Sequence, residues 1–193
     1  MPSMRIGLYF GSFNPIHVGH LIIANHMLSH CAVDRIWFIV SPQNPLKETA
    51  SLLNENSRFY LVHKAVDKEL KFKASNIEFS LPRPSYTIDT LTHLSEKYPQ
   101  YSFSVIMGSD SLQNIKKWKN YQQLLKQYLI LIYERPGYPI DLTLSKNIEV
   151  VKAPLLDISS TYIRQLIKEK KSIRYLVTDE VLDEIQASGY YSK

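Results

Sequence analysis

Residues 6–20 read IGLYFGSFNPIHVGH, and this stretch indicates the class of fold. Its apolar start is typical of a buried strand, which ends at the tight turn formed by Gly11 and Ser12. From His17 to Cys31 apolar side chains recur at helical spacing, which predicts a helix. A strand, a glycine turn and a helix in succession are typical of the first unit of a parallel α/β sheet.

The same alternation continues along the chain. The predicted strands are residues 6–10, 35–40, 77–81, 102–107, 128–133 and 148–151. The predicted helices are residues 17–31, 57–70, 87–98, 160–170 and 175–187, with two short helices within residues 110–126. This alternation predicts an α/β fold of one domain over residues 1–193, with a doubly wound, mostly parallel sheet of Rossmann-like topology. Ligands of such folds bind at the carboxyl ends of the strands, where polar clusters follow in this chain.

Composition narrows the kinds of protein that fit. At 45% hydrophobic and 21% charged residues, the chain has the balance of a globular protein. The net charge of +5 is modest and the densest cationic run, residues 116–119, is short, so we expect no nucleic-acid partner. Cys31 is the only cysteine, which excludes an internal disulfide and a thiolate metal cluster.

No apolar stretch reaches the length that crosses a bilayer, and the first residues lack the pattern of a secretory leader. We therefore expect a cytoplasmic protein with no membrane partner. The sequence leaves the oligomeric state open, a homo-oligomer included.

Two histidines mark the first candidate site. His17 and His20 lie three residues apart and share one face at the start of the first predicted helix. A helix N-terminus carries partial positive charge and free N–H groups, which favour an anion, and glycine at residue 11 lets the backbone approach a phosphate. Two other interpretations remain open, a polar surface and a metal site completed by His26 and His30. A zinc site usually needs three or four ligands, and no carboxylate completes this set.

A second candidate site opens a predicted helix near the other end of the chain. Residues 158–164 read ISSTYIR. One helix cap explains one hydroxyl, but it does not explain Ser159, Ser160 and Thr161 together with Arg164. Three hydroxyls, free backbone amides and a guanidinium suit the β- and γ-phosphates of a nucleotide.

Both stretches resemble the signatures of the HxGH nucleotidyltransferase superfamily. Residues 17–20 match H-x-G-H, and residues 158–164 match I-S-S-T-x-x-R completely. Residues 10–15 depart from the usual G-G-T-F-D-P, with Phe10 at the first glycine and Asn14 at the aspartate. The resemblance implies the Rossmann-like nucleotidyltransferase fold, with His17, His20 and Arg164 as catalytic residues that stabilise charge as pyrophosphate leaves.

The same resemblance implies an ATP site. The implied ATP-binding residues are Gly11, Ser12, Phe13, His17, Gly19, His20, Gly108, Asp110, Ser159, Ser160, Thr161 and Arg164. Mg²⁺ is expected as a cofactor bound mainly through the ATP phosphates, and no protein side chain is expected to be a metal ligand.

Three further stretches narrow the resemblance. Residues 84–91 read PSYTIDTL, residues 108–118 fit G-x-D-x₇-W, and residues 41–47 read SPQNPLK. Taken alone, each has a structural explanation, and Trp118 is as readily a core residue as a ligand. Together they resemble the nicotinate mononucleotide adenylyltransferases of the bacterial type. The implied mononucleotide-binding residues are Ser12, Asn44, Lys47, Tyr86, Thr87, Trp118, Lys119 and Arg135.

The resemblance implies a reaction between ATP and nicotinate mononucleotide. The mononucleotide phosphate would attack the α-phosphorus of ATP in line, giving a dinucleotide and pyrophosphate. Trp118 would stack on the pyridine ring and Lys47 would meet the substrate phosphate. Three alternatives stay open: a pantetheine-phosphate adenylyltransferase, which shares both superfamily signatures, an enzyme that prefers nicotinamide mononucleotide, and a catalytically silent nucleotide sensor.

Overall fold

The computed structural model describes residues 4–43, 52–154 and 156–192. Six strands form one sheet in the order β3-β2-β1-β4-β5-β6, and every neighbouring pair is parallel. The strands are β1 (Met4–Gly11), β2 (Arg35–Val40), β3 (Phe72–Ser75), β4 (Tyr101–Gly108), β5 (Leu129–Tyr133) and β6 (Ile148–Val151). The predicted doubly wound, Rossmann-like α/β fold is confirmed, and the sheet is wholly parallel over the described strands.

Seven α-helices are present in the described ranges. They are α1 (Val18–His30), α2 (Glu55–Val66), α3 (Thr87–Lys97), α4 (Ser109–Gln113), α5 (Tyr121–Gln127), α6 (Ser160–Lys168) and α7 (Asp179–Ser188). Short 3₁₀ helices occur at Ile77–Ser80, Ile115–Lys117 and Leu142–Leu144. None of the helices in this part of the chain is long and apolar enough to cross a membrane.

Successive strand residues point to opposite faces of the sheet and build two separate cores. In β1, Leu8 packs among side chains of α3, α4 and α5, whereas Tyr9 packs among those of α1, α2, α6 and α7. Both side chains are buried. The sheet is therefore the middle of three layers, and its central strands are apolar on both faces, as expected for a parallel sheet.

One predicted strand is wrong. Residues 77–81 form a 3₁₀ helix, Ile77–Ser80, and the strand of this region is β3, which lies just before it. The alternation of apolar and polar residues predicted a strand whose polar side chains face solvent. This prediction is wrong because the side chain of Glu78 is buried. The β3 sequence, FKAS, is short and gives little signal because it is an edge strand that pairs only with β2.

The strand order places a crevice at the centre of the sheet. The chain leaves β1 through α1 on one face, whereas it leaves β4 through α4 on the opposite face. Because β1 and β4 are neighbours, the connections diverge at their carboxyl ends, the position at which open α/β sheets bind ligands. Gly11 and Gly108 end these two strands, so both glycines lie at the crevice.

Candidate active site

A cavity of about 360 Å³ lies at the carboxyl ends of β1 and its neighbours. It is lined by eleven of the residues predicted to bind ATP: Gly11, Ser12, Phe13, His17, Gly19, His20, Asp110, Ser159, Ser160, Thr161 and Arg164. Arg135, predicted to bind the mononucleotide, also lines it, whereas Gly108 lies at the end of β4 and does not. The fold thus brings together the two signature stretches, which are far apart in sequence.

The turn after β1 is shaped by a buried aromatic ring. Phe13 is 2% exposed and has a φ of +45°, a conformation that non-glycine residues seldom adopt. A Cβ on Gly11 would lie 2.8 Å from the ring atom Cζ of Phe13, so only glycine fits there without a shift. The turn is held against the core by this packing, which fixes the backbone that faces the cavity.

His17 and His20 stack at the start of α1, with ring centroids 3.7 Å apart. The backbone N–H of His17 donates to Nδ1 of His20 at 3.3 Å. Burial, together with the positive charge of Arg135, lowers the pKa of His17 to about 4, so its imidazole is neutral at pH 7. Among the described residues, Nδ1 of His17 is a buried atom with no hydrogen-bond partner. Such an atom is expected to have a partner when a ligand occupies the site.

Gly19 keeps the space around these rings open. A Cβ at this position would lie 3.0 Å from Nδ1 of His17 and 3.1 Å from its Cε1. A larger residue would therefore press on the unpartnered nitrogen of His17. The glycine between the two histidines preserves access of a ligand to that ring.

The second signature stretch is docked on the first through hydrogen bonds. Ser159 caps α6, since its Oγ accepts from the backbone N–H of Tyr162 at 3.1 Å. Ser160 Oγ donates to the carbonyl of Pro15 at 2.8 Å. Arg164 donates from Nη1 to the carbonyl of Asn14, also at 2.8 Å. These bonds aim the N-terminus of α6 at the cavity and use two of the three predicted hydroxyls structurally.

Arg164 also contacts the third hydroxyl of this stretch. Its Nη2 lies 3.3 Å from Oγ1 of Thr161. The guanidinium is thereby oriented from both sides, by its own helix and by the turn after β1. An oriented guanidinium with remaining N–H donors suits an anionic ligand.

Asp110 and Arg135 form an ion pair across the ends of β4 and β5. Nη1 of Arg135 lies 3.0 Å from Oδ2 of Asp110. The backbone N–H of Arg135 donates to Oγ of Ser109 at 2.9 Å, which fixes the loop after β5. The sequence predicts Asp110 for ATP and Arg135 for the mononucleotide, and the structure places the two side chains in contact.

Four of the predicted mononucleotide-binding residues, Tyr86, Thr87, Trp118 and Lys119, do not line this cavity, whereas Ser12, predicted for both substrates, does. Nζ of Lys119 lies 2.8 Å from Asp89 and 4.9 Å from the ring centroid of Tyr86. Thr87 is the first residue of α3, whose N-terminus has no side-chain cap. Trp118 is half-buried and packs against the core on the α3 side, so it is both a core contact and partly accessible.

Two predicted positions, Asn44 and Lys47, lie outside the described residues.

Comparison with known proteins shows the family to which the chain belongs. The cytidylyltransferase-like family matches residues 8–166. The chain belongs to the cytidylyltransferase-like family. A protein of Cytophaga hutchinsonii is 55% identical over 190 residues, covering 98% of this chain and 99% of its own length. A protein of Flavobacterium psychrophilum is 48% identical over 193 residues, covering 98% and 100%. Both relatives are named probable nicotinate-nucleotide adenylyltransferase, so the resemblance predicted from the sequence is confirmed.

A solved structure shows the same fold. It is the nicotinic acid mononucleotide adenylyltransferase of Plasmodium falciparum complexed with NaAD, which matches with a TM-score of 0.82. The match covers 97% of each chain at 22% sequence identity. The fold of this cytidylyltransferase-like protein is thereby found in a protein of low sequence identity.

The side chains of the site limit how a metal ion can be bound there. In the described ranges there is no group of three or more His, Cys, Asp or Glu side chains that would hold one. The carboxylates that line the cavity are Asp110 and Glu134, and Asp110 is paired with Arg135. These donors fit a Mg²⁺ that arrives on nucleotide phosphates and keeps its waters, as this ion commonly does when it binds with phosphates. His26 and His30 stack on each other at 4.0 Å and do not line this cavity.

Sequence reasoning missed two buried charged residues behind the cytidylyltransferase-like site. Arg58 is 0% exposed and Glu78 is 2% exposed. A signal for Arg58 is present, since it lies on the same helical face as the buried Leu61 and Val62. A charged residue on an apolar face requires internal partners, and this marks it as a residue to examine. Glu78 gave no comparable signal, because the alternation around it predicts an exposed strand residue.

Proposed function

We propose that this chain transfers the adenylyl group of ATP to nicotinate mononucleotide, giving deamido-NAD and pyrophosphate in NAD biosynthesis. The observation that carries the proposal is the 55% identity, over nearly the whole of both chains, to a protein named probable nicotinate-nucleotide adenylyltransferase. The cavity supports the same chemistry, because both nucleotidyltransferase signatures meet there. Pantetheine-phosphate adenylyl transfer has no such support from the two relatives described above.

The triphosphate of ATP occupies the cavity between α1 and α6. His17, His20 and Arg164 surround this space, and Arg135 adds positive charge from the loop after β5. We assign the unpartnered Nδ1 of His17 to a hydrogen bond with the triphosphate. The neutral imidazole gains stabilisation from this bond, and the negative charge that develops on the leaving pyrophosphate is met by N–H donors already in place.

The reaction is a single in-line displacement. A phosphate oxygen of the mononucleotide forms a bond to the α-phosphorus of ATP, and the bond from that phosphorus to the α,β-bridging oxygen breaks. The attacking phosphate is already ionised at neutral pH, since the second pKa of a phosphate monoester is about 6. No general base is needed, so the side chains position the reactants and stabilise charge. Mg²⁺ carried on the ATP phosphates, when bound, neutralises part of their charge.

The pyridine end of the mononucleotide binds beside α3. Tyr86, Thr87, Trp118 and Lys119 lie together there, and the uncapped N-terminus of α3 offers backbone N–H groups to the nicotinate carboxylate. The accessible part of Trp118 stacks on the ring. Ser12 and Arg135, which line the ATP cavity, face the phosphate of the mononucleotide.

The proposal extends to the domain organisation, the localisation and the oligomeric state of the chain. The chain acts as one nucleotidyltransferase domain, because α6 and α7 pack into the same core as α1 and α2. The reaction takes place in the cytoplasm, where a chain with one cysteine keeps its thiol reduced. A homo-oligomer stays a prediction.

Product analysis tests the proposal. Purified protein is incubated with Mg-ATP and nicotinate mononucleotide, and the products are identified by mass spectrometry. We expect deamido-NAD and pyrophosphate in equal amounts, with neither formed when the mononucleotide is omitted. The same reaction with ATP that carries a chiral phosphorothioate at the α-phosphorus should invert configuration, as a single displacement requires. Retention of configuration would contradict the direct attack, and ATP consumption without a dinucleotide would contradict the function.

A further inference from the structure

Glu78 is a buried carboxylate that the proposed reaction does not use. Its Oε2 accepts from Oγ of Ser85 at 2.8 Å, and its Oε1 accepts from Oγ1 of Thr90 at 2.8 Å. The hydroxyl of Ser41 also favours the ionised form of this carboxyl group. Among the described residues it has no ion-pair partner. One carboxylate therefore holds three segments: the residue after β2, the turn before α3 and the first turn of α3.

Arg58 makes the corresponding contacts on the ATP side. Its Nη1 donates to the carbonyls of Ser12, at 2.6 Å, and Ser41, at 2.8 Å. Nη2 donates to the carbonyl of Pro42 at 2.8 Å, and Nε donates to that of Leu53 at 2.7 Å. The buried guanidinium thus holds the turn after β1 against the segment after β2.

Ser41 joins the two buried side chains. Its N–H donates to the carbonyl of Gly11 at 2.9 Å, its carbonyl accepts from Arg58, and its hydroxyl interacts with the carboxyl group of Glu78. A chain of polar interactions therefore runs from Ser12, in the ATP cavity, to Ser85, which directly precedes Tyr86 and Thr87. Buried polar networks in which every member is bonded specify one arrangement of the segments that they join.

We propose that Glu78 is a positioning residue for the mononucleotide site, which it holds in place through Ser85 and Thr90 and aligns with the ATP turn through Ser41 and Arg58. The proposal rests on the proposed function, because it concerns the binding of the same acceptor. The two hydroxyls that Glu78 accepts from lie on either side of Tyr86 and Thr87, so the start of α3 is fixed at both ends. Glu78 itself is buried and acts through these neighbours.

If Glu78 only stabilised the fold, its replacement would lower the stability of the protein rather than acceptor binding alone. Burial raises the pKa of Glu78, so the folded state disfavours its ionised form, and a neutral residue of the same shape is expected to be at least as stable there. Glu78→Gln keeps the shape and removes the charge that orders the hydroxyl donors. A positioning role therefore predicts weaker acceptor binding without loss of fold stability.

The first experiment measures steady-state kinetics and thermal unfolding of Glu78→Gln. We expect KM for nicotinate mononucleotide to rise about fivefold, the size of one weakened hydrogen-bond network. KM for ATP should stay within about twofold of wild type, and Tm should stay within about 2 °C of wild type or exceed it. An unchanged KM for the mononucleotide, or an equal rise in both KM values with a fall in Tm, overturns the proposal.

Variants of Thr90 provide a second test that leaves Glu78 intact. Thr90→Val removes the hydroxyl that donates to Glu78, and Thr90→Ser retains it. We expect the valine variant to raise KM for the mononucleotide and the serine variant to restore it. Thr92→Val is the control, since Thr92 lies on the same helix and donates to the carbonyl of Ile88, as Thr90 does to that of Tyr86, but does not donate to Glu78. Equal effects of Thr90→Val and Thr92→Val would count against the positioning role.

The wild-type protein separates the two possible failures. If it does not use nicotinate mononucleotide, the proposed function fails and this assignment fails with it. If it does use that acceptor and all variants match it, only the positioning role of Glu78 fails. A Glu78→Gln variant that does not fold contradicts the stability expected above, and the Thr90 pair then decides whether acceptor binding depends on this network.

Discussion

At the level of single residues, His17 shows how burial prepares a side chain for a ligand. The residue is 7% exposed, its ring packs against that of His20, and Nδ1 has no hydrogen-bond partner in the described part of the chain. Burial and Arg135 together lower its pKa to about 4, whereas a histidine in the unfolded chain titrates near 6.5. The folded protein therefore binds a proton at His17 less readily than the unfolded chain does, and acid should destabilise it.

His17→Asn tests this environment through stability. Because the folded-state pKa is depressed, the stability tied to neutral His17 is present above about pH 6.5 and is lost as pH falls towards 4. The free energy of unfolding, from urea denaturation, should fall more in wild type than in the variant between pH 7 and pH 4, by about 3 kcal/mol. His63→Asn, at an exposed histidine of α2, controls for the exchange of histidine for asparagine itself. Parallel falls in wild type and His17→Asn would refute the effect.

His20→Ala addresses the chemistry instead. Its Nδ1 accepts from the backbone of His17, and its ring lines the cavity where the leaving pyrophosphate is placed. If the ring stabilises charge that develops in the transition state, kcat should fall about a hundredfold, with KM for the mononucleotide within about threefold. Steady-state kinetics measure both constants. A variant with wild-type kcat would remove His20 from the reaction.

Among secondary-structure elements, α6 carries two tasks at its N-terminus. Ser159 is an ordinary helix cap by its hydrogen bond to Tyr162, and it also lines the cavity. Thr178 caps α7 in the same way, by accepting from the backbone N–H of Val181 at 3.4 Å, but does not line the cavity. The two helices thus offer a comparison between a cap that serves the fold alone and one placed at the site.

Ser159→Ala and Thr178→Ala form a matched pair. Each should lower the free energy of unfolding by about 1 kcal/mol, the usual effect of losing a serine or threonine cap. KM for ATP should rise in the Ser159 variant alone, because only its hydroxyl and the amides that it orders face the triphosphate. Chemical denaturation and steady-state kinetics give the two readouts. If Thr178→Ala raised KM for ATP as much, the effect would come from general destabilisation.

The elements that were predicted well from the sequence are rich in apolar residues, either in continuous runs or at helical spacing. Helix α1 and strands β1, β2 and β5 carry apolar residues that the core uses directly, so pattern and burial agree. The strand predicted at residues 77–81 failed because Glu78 is buried through hydroxyl donors that lie 7 and 12 residues away. The sequence around Glu78 does not indicate those partners, so the local pattern predicted an exposed residue.

For the whole molecule, the order of the strands creates the site. Sequence motifs predicted that residues 11–20 and 158–164 act together, and the sheet places them around one cavity. The docking of Arg164 on the carbonyl of Asn14, 150 residues away, needed the structure. The interactions of Ser41 also needed the structure. Every residue carries a backbone carbonyl, so a sequence motif does not reveal which carbonyl accepts a hydrogen bond. Sequence thus predicted which residues line the cavity better than which residues hold them in place.

The relative use of acceptors tests the account most directly. Pyrophosphate release from Mg-ATP is measured with nicotinate mononucleotide, nicotinamide mononucleotide and phosphopantetheine side by side, and kcat/KM is compared. We predict that nicotinate mononucleotide exceeds both others by at least about tenfold, because a site that binds its carboxylate through N–H donors is poorly matched to the alternatives. A higher kcat/KM with either other acceptor would contradict the assigned substrate, and no release with any of the three would contradict adenylyl transfer itself.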